Sequence, residues 1–402
     1  MSSLADALSA SGADELRRAA RALLRRPLLR ATGPEAEEFA LIRRHAKALR
    51  EWFDRNTGWR LSVDAEVARL VKQVANAATS TSVGDQTYPA RDVRSGKPFG
   101  RRRYVLVCLA LAALERADSQ ITLGKLAEHV VLGASDPELA GAGVFFNLDG
   151  RDERADLVAV VRLLLDLGVL RRVAGDEDAF VKDAGDVLYD VERRVLATLL
   201  AAPRGPSTVD VDGYDERMAA LTVEIPPTTD DLRNQRIRHG LTRRLLDEPV
   251  LYIEDLDEAE AAYLAGQRTA ITTRITELTG LVPEARAEGI AMVDPYDDLT
   301  DVRMPESGTE GHATLLVAEH LASNADRAVP LDELHQHVRR QAALHRSYWR
   351  RDAGEPGAEV ELTTLALDRL EALRLVHRAL DSVTARPALA RYALAEPTIG
   401  GV

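Results

Sequence analysis

The residues best suited to chemistry in this chain are its clustered arginines. Arg91, Arg94, Lys97, Arg101, Arg102 and Arg103 lie close together, with Tyr88, Phe99 and Tyr104 between them. A second cluster sets Arg339, Arg340, His345, Arg346, Arg350 and Arg351 around Tyr348 and Trp349. Cations at this density bind phosphate by charge and by releasing condensed counterions. Such contacts position a protein on a duplex but carry no base information. Arg91, Arg94, Lys97, Arg101, Arg102, Arg103, Arg339, Arg340, Arg346 and Arg350 are therefore read as contacts to double-stranded DNA without sequence preference. A third cluster is Arg233, Arg236, Arg238, His239, Arg243 and Arg244. Each cluster has an ordinary alternative, a solvated or acid-paired face. The first two are preferred because few acids interrupt them.

Other chemistries find little support. A P-loop needs a glycine-rich run before its lysine and a hydroxyl residue after it. Gly124-Lys125 has neither, because Leu126 follows. There is no Gly-x-Ser-x-Gly elbow. His335 and His337 diverge on a helix, and His345 lies about two turns beyond His337, so no metal is assigned. Asp294, Asp297, Asp298 and Asp301 surround Pro295 and suit a turn; a metal-dependent nuclease built on them is the weakest reading. Glu254, Asp255, Asp257, Glu258 and Glu260 begin a helix, where negative charge complements the dipole. The single cysteine, Cys108, excludes an internal disulfide, and its apolar neighbours Val107 and Leu109 predict a core position. No catalytic residue and no cofactor is assigned.

The elements that would carry these residues follow from periodicity and turn signals. Helices are expected over 13–30 and 34–54, a strand over Trp59–Val63 and a helix over Ala65–Ala78. From Arg101 the order changes to helix, brief strand (120–122), helix (123–132), helix (152–167), then a hairpin of Val169–Ala174 and Ala179–Lys182. A helix over Asp186–Ala201 follows. The same order recurs at the end: helices 312–323, 332–345 and 362–373, a strand at 329–331, and a hairpin of 375–380 and 388–394 around a turn at 382–387. Ile121–Val130 echoes Val329–Val338 at every large apolar position, which points to duplicated units. The expectation is a mainly α fold with small β-hairpin wings, an α+β chain of tandem winged-helix domains. Its divisions are 1–100 (N-terminal helical region), 101–202 (first winged helix), 203–306 (linker and middle α/β unit, whose signals also fit a divergent winged helix) and 307–402 (C-terminal winged helix). The third helices carry Asp152, Glu153 and Asp156, and Asp368 and Glu371 after Glu359 and Glu361. Acids facing phosphate repel it, which argues against groove reading and against a winged-helix transcription regulator, the alternative function.

Aromatics are only 4% of the 402 residues and charged residues 29%, a helix-favouring, well-solvated mixture. The formal net charge of −12 confines any nucleic-acid contact to local patches. No apolar run reaches the length of a membrane span and no leader pattern is visible, so a cytoplasmic protein, associated with nucleoid or plasmid, is expected.

Several stretches carry a family likeness: Phe39-Ala-Leu-Ile-Arg-Arg-His45, Trp52-Phe53, Gly58-Trp59-Arg60-Leu61, Pro98-Phe99-Gly-Arg-Arg-Arg-Tyr-Val-Leu106 and Asp186-Val-Leu-Tyr-Asp-Val191. Through them the chain resembles the second subunit of a Wadjet-type anti-plasmid defence system, encoded with an SMC-type condensin relative, a kleisin-like subunit and a topoisomerase-primase-like nuclease. That subunit is similar to MukE, a tandem winged-helix, kleisin-binding protein. The resemblance implies a non-catalytic homodimer that binds the kleisin, reaches the SMC ATPase through it and helps to hold double-stranded DNA. This chain is much longer than MukE.

Overall fold

The computed structural model describes residues 2–73, 89–199 and 227–393, except 142, 144, 183 and 306, with scattered positions between 205 and 221. Side chains are described from residue 10 onward. The fold is α+β, with helices dominating and small antiparallel sheets.

The elements fall into four units. The first holds α1 (Ser2–Arg25), β1 (Leu28–Arg30), α2 (Ala36–Arg44), α3 (Ala46–Thr57), β2 (Arg60–Val63) and β3 (Val67–Val71). The second holds α4 (Arg101–Arg116), β4 (Gln120–Thr122), α5 (Leu123–Ala134), α6 (Pro137–Gly141), α7 (Arg151–Asp166), β5 (Leu170–Ala174), α8 (Glu177–Val181), β6 (Leu188–Val191) and α9 (Arg193–Leu199). The third holds α10 (Asp230–Asp247), β7 (Leu251–Tyr252), a 3-10 turn (Ile253–Asp255), α11 (Glu258–Thr279), β8 (Val282–Ala285) and β9 (Gly289–Val293). The fourth holds α12 (Gly308–Ala322), β10 (Val329–Pro330), α13 (Leu331–Leu344), α14 (Ala358–Ala372), β11 (Val376–Arg378), β12 (Ser382–Ala385) and a 3-10 helix (Pro387–Tyr392). Each unit thus runs helix, strand, helix, helix, strand, strand, with α6 and α8 inserted and α9 appended in the second unit and the second helix of the third reduced to the 3-10 turn. Each builds a three-stranded antiparallel sheet whose last strand is central: β1-β3-β2, β4-β6-β5, β7-β9-β8 and β10-β12-β11.

Local chemistry explains the boundaries. Thr122 caps α5 by accepting from the Lys125 amide, and Asp257 and Glu260 close a capping box at the start of α11. Gly58 and Gly280 end α3 and α11 in the left-handed conformation that a side chain resists. The second and fourth units end their third helices alike. Val169 donates to Leu164 and Leu375 to Leu370, both at 2.9 Å, in the pattern of a Schellman motif.

Each unit has its own core, and the cores interlock out of sequence order. Leu28 and Val67 of the first unit enter the core of the second. Leu278 of α11 enters the core of the first, and Trp52 of α3 packs on that of the third. The fourth unit joins the third through ion pairs of Arg374 and Arg386 with Glu248, Glu254 and Asp255. The order in space is therefore second, first, third, fourth.

Several elements differ from the sequence reading. The N-terminal region carries a sheet as well as helices, because Val67–Val71 forms β3 where a helix is expected. The Asp64 carboxylate accepts from the Glu66 and Val67 amides and turns the chain back on β2 instead of starting a helix. Residues 74–78 of that expected helix lie outside the described residues. The returning strand of the second unit is Leu188–Val191, and the expected strand at 179–182 is the short helix α8. Tyr189 decides this: it is fully buried, and its hydroxyl donates to the Glu177 carboxylate at 2.9 Å. In the fourth unit the second hairpin strand is Ser382–Ala385, earlier than expected, because buried Val383 pairs with Arg378 and Pro387 opens a 3-10 helix. Cys108 is exposed, against the expected core position. Half of the segment read as a linker, 203–230, lies outside the described residues. No helix among the described residues is long and apolar enough to cross a membrane.

Candidate nucleic-acid interface

The first basic cluster spans a tight loop and the opening of α4. Arg91 bridges to Pro98, and the Asp92 carboxylate gathers the Arg94 and Ser95 amides. Phe99 is buried, and the Tyr104 hydroxyl accepts from the Ala90 amide at 2.7 Å, so the loop is pinned to the helix. Arg94 pairs with Asp178 at 2.6 Å, and that carboxylate raises its pKa. Arg102 lies 3.4 Å from Glu153 and 3.3 Å from Asp156; Arg103 lies 2.8 Å from Asp156 and 3.2 Å from Asp92. Arg103 also stacks on Phe99. Arg91 and Lys97 are exposed and pair with no carboxylate of the described residues, and Arg101 is exposed. Tyr88 lies outside the described residues.

The second cluster follows the same rule. Arg339 pairs with Glu359, whose pKa falls chiefly through that hydrogen bond. Arg350 lies 3.1 Å from Glu361 and 3.2 Å from Asp352, and it reaches toward Glu310. Trp349 is buried and donates from its indole nitrogen to His312 Nδ1 at 3.1 Å. Arg340 and Arg346 are exposed without a carboxylate partner among the described residues, beside exposed Leu344 and Tyr348. The acids that make α7 and α14 poor groove readers are thus the ones that hold the neighbouring arginines. What remains for phosphate is a rim of exposed cations in each cluster.

Residues 20–395 match the family described as "Protein of unknown function (DUF2398)". The chain belongs to the DUF2398 family. No curated protein and no solved structure matches it.

The third cluster of this DUF2398 chain is an internal joint. Arg243 is buried, and its Nε donates to the Thr57 carbonyl at 2.6 Å. Arg238 and His239 contact the Arg55 carbonyl, at 3.2 and 3.1 Å. Arg244 turns to Glu248. The acidic cluster at 294–301 is a joint as well. Asp294 accepts from Arg21 at 2.8 and 2.9 Å and from the amides of Tyr296, Asp298 and Leu299. Burial alone would raise the Asp294 carboxyl, but these hydrogen bonds outweigh it and hold its pKa low. Asp298 pairs with Arg21 and Arg25, and Asp297 with Arg303. Among the described residues, no group of three or more His, Cys, Asp or Glu is placed to hold a metal. The histidines of α13 separate: His345 stacks on Trp349, while His337 faces His320 with ring centres 4.4 Å apart. The residues missed in the sequence are Arg21, the acid-paired partner of Asp294, and His320. The sequence signal for Arg21 is the match of Arg21-Ala-Leu-Leu24 to Arg243-Arg-Leu-Leu246.

Proposed function

We propose that this DUF2398 chain is a non-catalytic accessory subunit of an SMC-type, condensin-like complex. In it the chain binds a kleisin-like subunit, meets the SMC ATPase through that subunit and contacts double-stranded DNA without sequence preference, in Wadjet-type defence against plasmids. One observation carries the reading: four units repeat one element order with the last strand central in every sheet. Read as winged helices, four such units make a tandem array of the class that the MukE resemblance implies. The exposed cations Arg91, Lys97, Arg340 and Arg346 supply the DNA contact, while the arginines behind them are held by neighbouring carboxylates.

A winged-helix transcription regulator is the second reading. It requires a third helix free to enter a major groove. The acids of α7 and α14 disfavour it, and so does the packing of α3 and α11 against other units. Binding of random-sequence duplex across a salt series tests the DNA contact. The Arg340→Glu/Arg346→Glu double variant is expected to bind more weakly and to flatten the slope of log affinity against log salt by about 2, each lost phosphate contact contributing about 0.9. An unchanged slope removes that patch, and one strongly preferred sequence in an unbiased selection favours the regulator.

A further inference from the structure

The first and third units repeat one another in detail. Arg21-Ala-Leu-Leu-Arg-Arg-Pro-Leu-Leu29 corresponds to Arg243-Arg-Leu-Leu-Asp-Glu-Pro-Val-Leu251, and Thr57-Gly58-Trp59 to Thr279-Gly280-Leu281, all at one constant spacing. The copies are equivalent in structure. Leu23 and Leu245 are buried, as are Leu29 and Leu251. The Thr57 hydroxyl donates to the Phe53 carbonyl and the Thr279 hydroxyl to the Ile275 carbonyl, each at 2.6 Å.

The contacts between the two units are reciprocal. Arg21 of α1 donates to the Thr279 carbonyl at the end of α11, at 3.0 Å. Its equivalent, Arg243 of α10, donates to the Thr57 carbonyl at the end of α3. Arg17 packs over Gly280, and its equivalent His239 packs over Gly58. So α1 lies on α11 while α10 lies on α3. Residue i meeting j while the equivalent of i meets the equivalent of j is the mark of a two-fold, isologous interface. The outer units attach alike. The turn ending α7 at Gly168 lies against Arg30 of the first unit. The matching turn ending α14 at Arg374 accepts, through its carbonyl, a hydrogen bond from Tyr252 of the third unit at 2.8 Å. Both turn residues have positive φ, 74° and 55°.

We infer that the chain is a fused dimer. Its first two units and its last two are copies of one half, joined by a pseudo-two-fold face that in a half-length protein would pair two separate chains. The partner of the face formed by α1 and α3 is therefore the other half of the same chain, and the homodimer implied by the resemblance is met within one molecule. Linking turns a second-order association into an intramolecular one. Any partner of the chain then meets a preformed pair, whatever the protein concentration. For the kleisin this consequence rests on the function proposed above and gives one chain per kleisin.

Light scattering of the full chain with a specific protease site placed within 203–226 tests the inference. The intact chain is expected to run as a monomer of about 44 kDa, the mass of the sequence. After cleavage the halves are expected to stay together at that same mass. In the cleaved Arg21→Ala/Arg243→Ala variant they are expected to separate, with affinity at least about 100-fold weaker, as befits loss of the buried Arg21–Asp294 pair and of the Arg243 hydrogen bonds across the face. Should that variant fail to fold, the cleaved wild-type chain still decides. Halves that separate on cleavage overturn the inference, and so does an intact chain that runs as a dimer. Neither result depends on the kleisin.

Discussion

At the scale of the residue, the chain spends several arginines on its own interior. Arg21 is 6% exposed and Asp294 lies beneath it with a side chain 4% exposed, so the pair is shielded from solvent. Arg21→Ala leaves Asp294 charged in a buried site and should cost about 3–5 kcal/mol in urea unfolding. Arg243→Ala removes hydrogen bonds to the Thr57 carbonyl and to Gln73, and should cost about 1–3 kcal/mol. Equal losses would mean that the Asp294 pairing adds nothing beyond the shared carbonyl contact.

His337 gives the same scale a pH dependence. Burial, then the positive charges of His320 and Arg340, lowers its pKa from 6.5 to about 4; the Leu316 backbone and Glu333 oppose this more weakly. The unfolded chain therefore takes up this proton at a higher pH than the folded one. Stability from this group is full above pH 6.5 and is lost as pH falls toward 4. Glu333, held down to about 2 chiefly by Arg327, loses its contribution only at lower pH. The thermal midpoint should fall between pH 7 and pH 5, and His337→Gln should flatten that fall. A midpoint with the same slope in both proteins would assign the pH response elsewhere.

At the scale of the element, acids on the third helices govern the basic clusters. Asp156 holds both Arg102 and Arg103. Asp156→Asn removes one of the two carboxylates on each, leaving Glu153 on Arg102 and Asp92 on Arg103, and should raise duplex affinity modestly and steepen the salt slope by no more than about 1. Its cost in stability should be within about 1 kcal/mol, since the pairs are partly exposed. Weaker binding by this variant would mean that the pairs position the arginines for phosphate rather than withhold them. The second and fourth units were legible in sequence because their apolar spacing matches over Ile121–Val130 and Val329–Val338. Their hairpins were less so, since Tyr189 and Val383 find their strands through tertiary burial, which local pattern does not encode. The third basic cluster misled for a related reason. A run of arginines reads as surface, and only the packing of α10 on α3 shows that Arg243 is inside. The repeat of the first unit in the third was hidden because core positions kept burial and not identity, as where Phe53 matches Ile275 and Trp59 matches Leu281.

At the scale of the whole molecule, a net charge of −12 coexists with local cationic rims because most arginines are neutralised by neighbouring carboxylates. The α+β class followed from composition and turn signals. The spatial order of the units did not, because the first unit packs on the third across a long sequence separation. Four units in one chain, paired by a pseudo-two-fold, give a scaffold that needs no second copy to present both halves to a partner.

The most direct measurement is the mass of the chain in solution, alone and mixed with the kleisin-like subunit that the resemblance associates with it. The account predicts a monomer alone and, on mixing, one stable complex holding a single copy of this chain per kleisin. A chain that ignores the kleisin at micromolar concentration would contradict the proposed function and leave the fold standing. A complex holding two copies would keep the function and contradict the fused dimer.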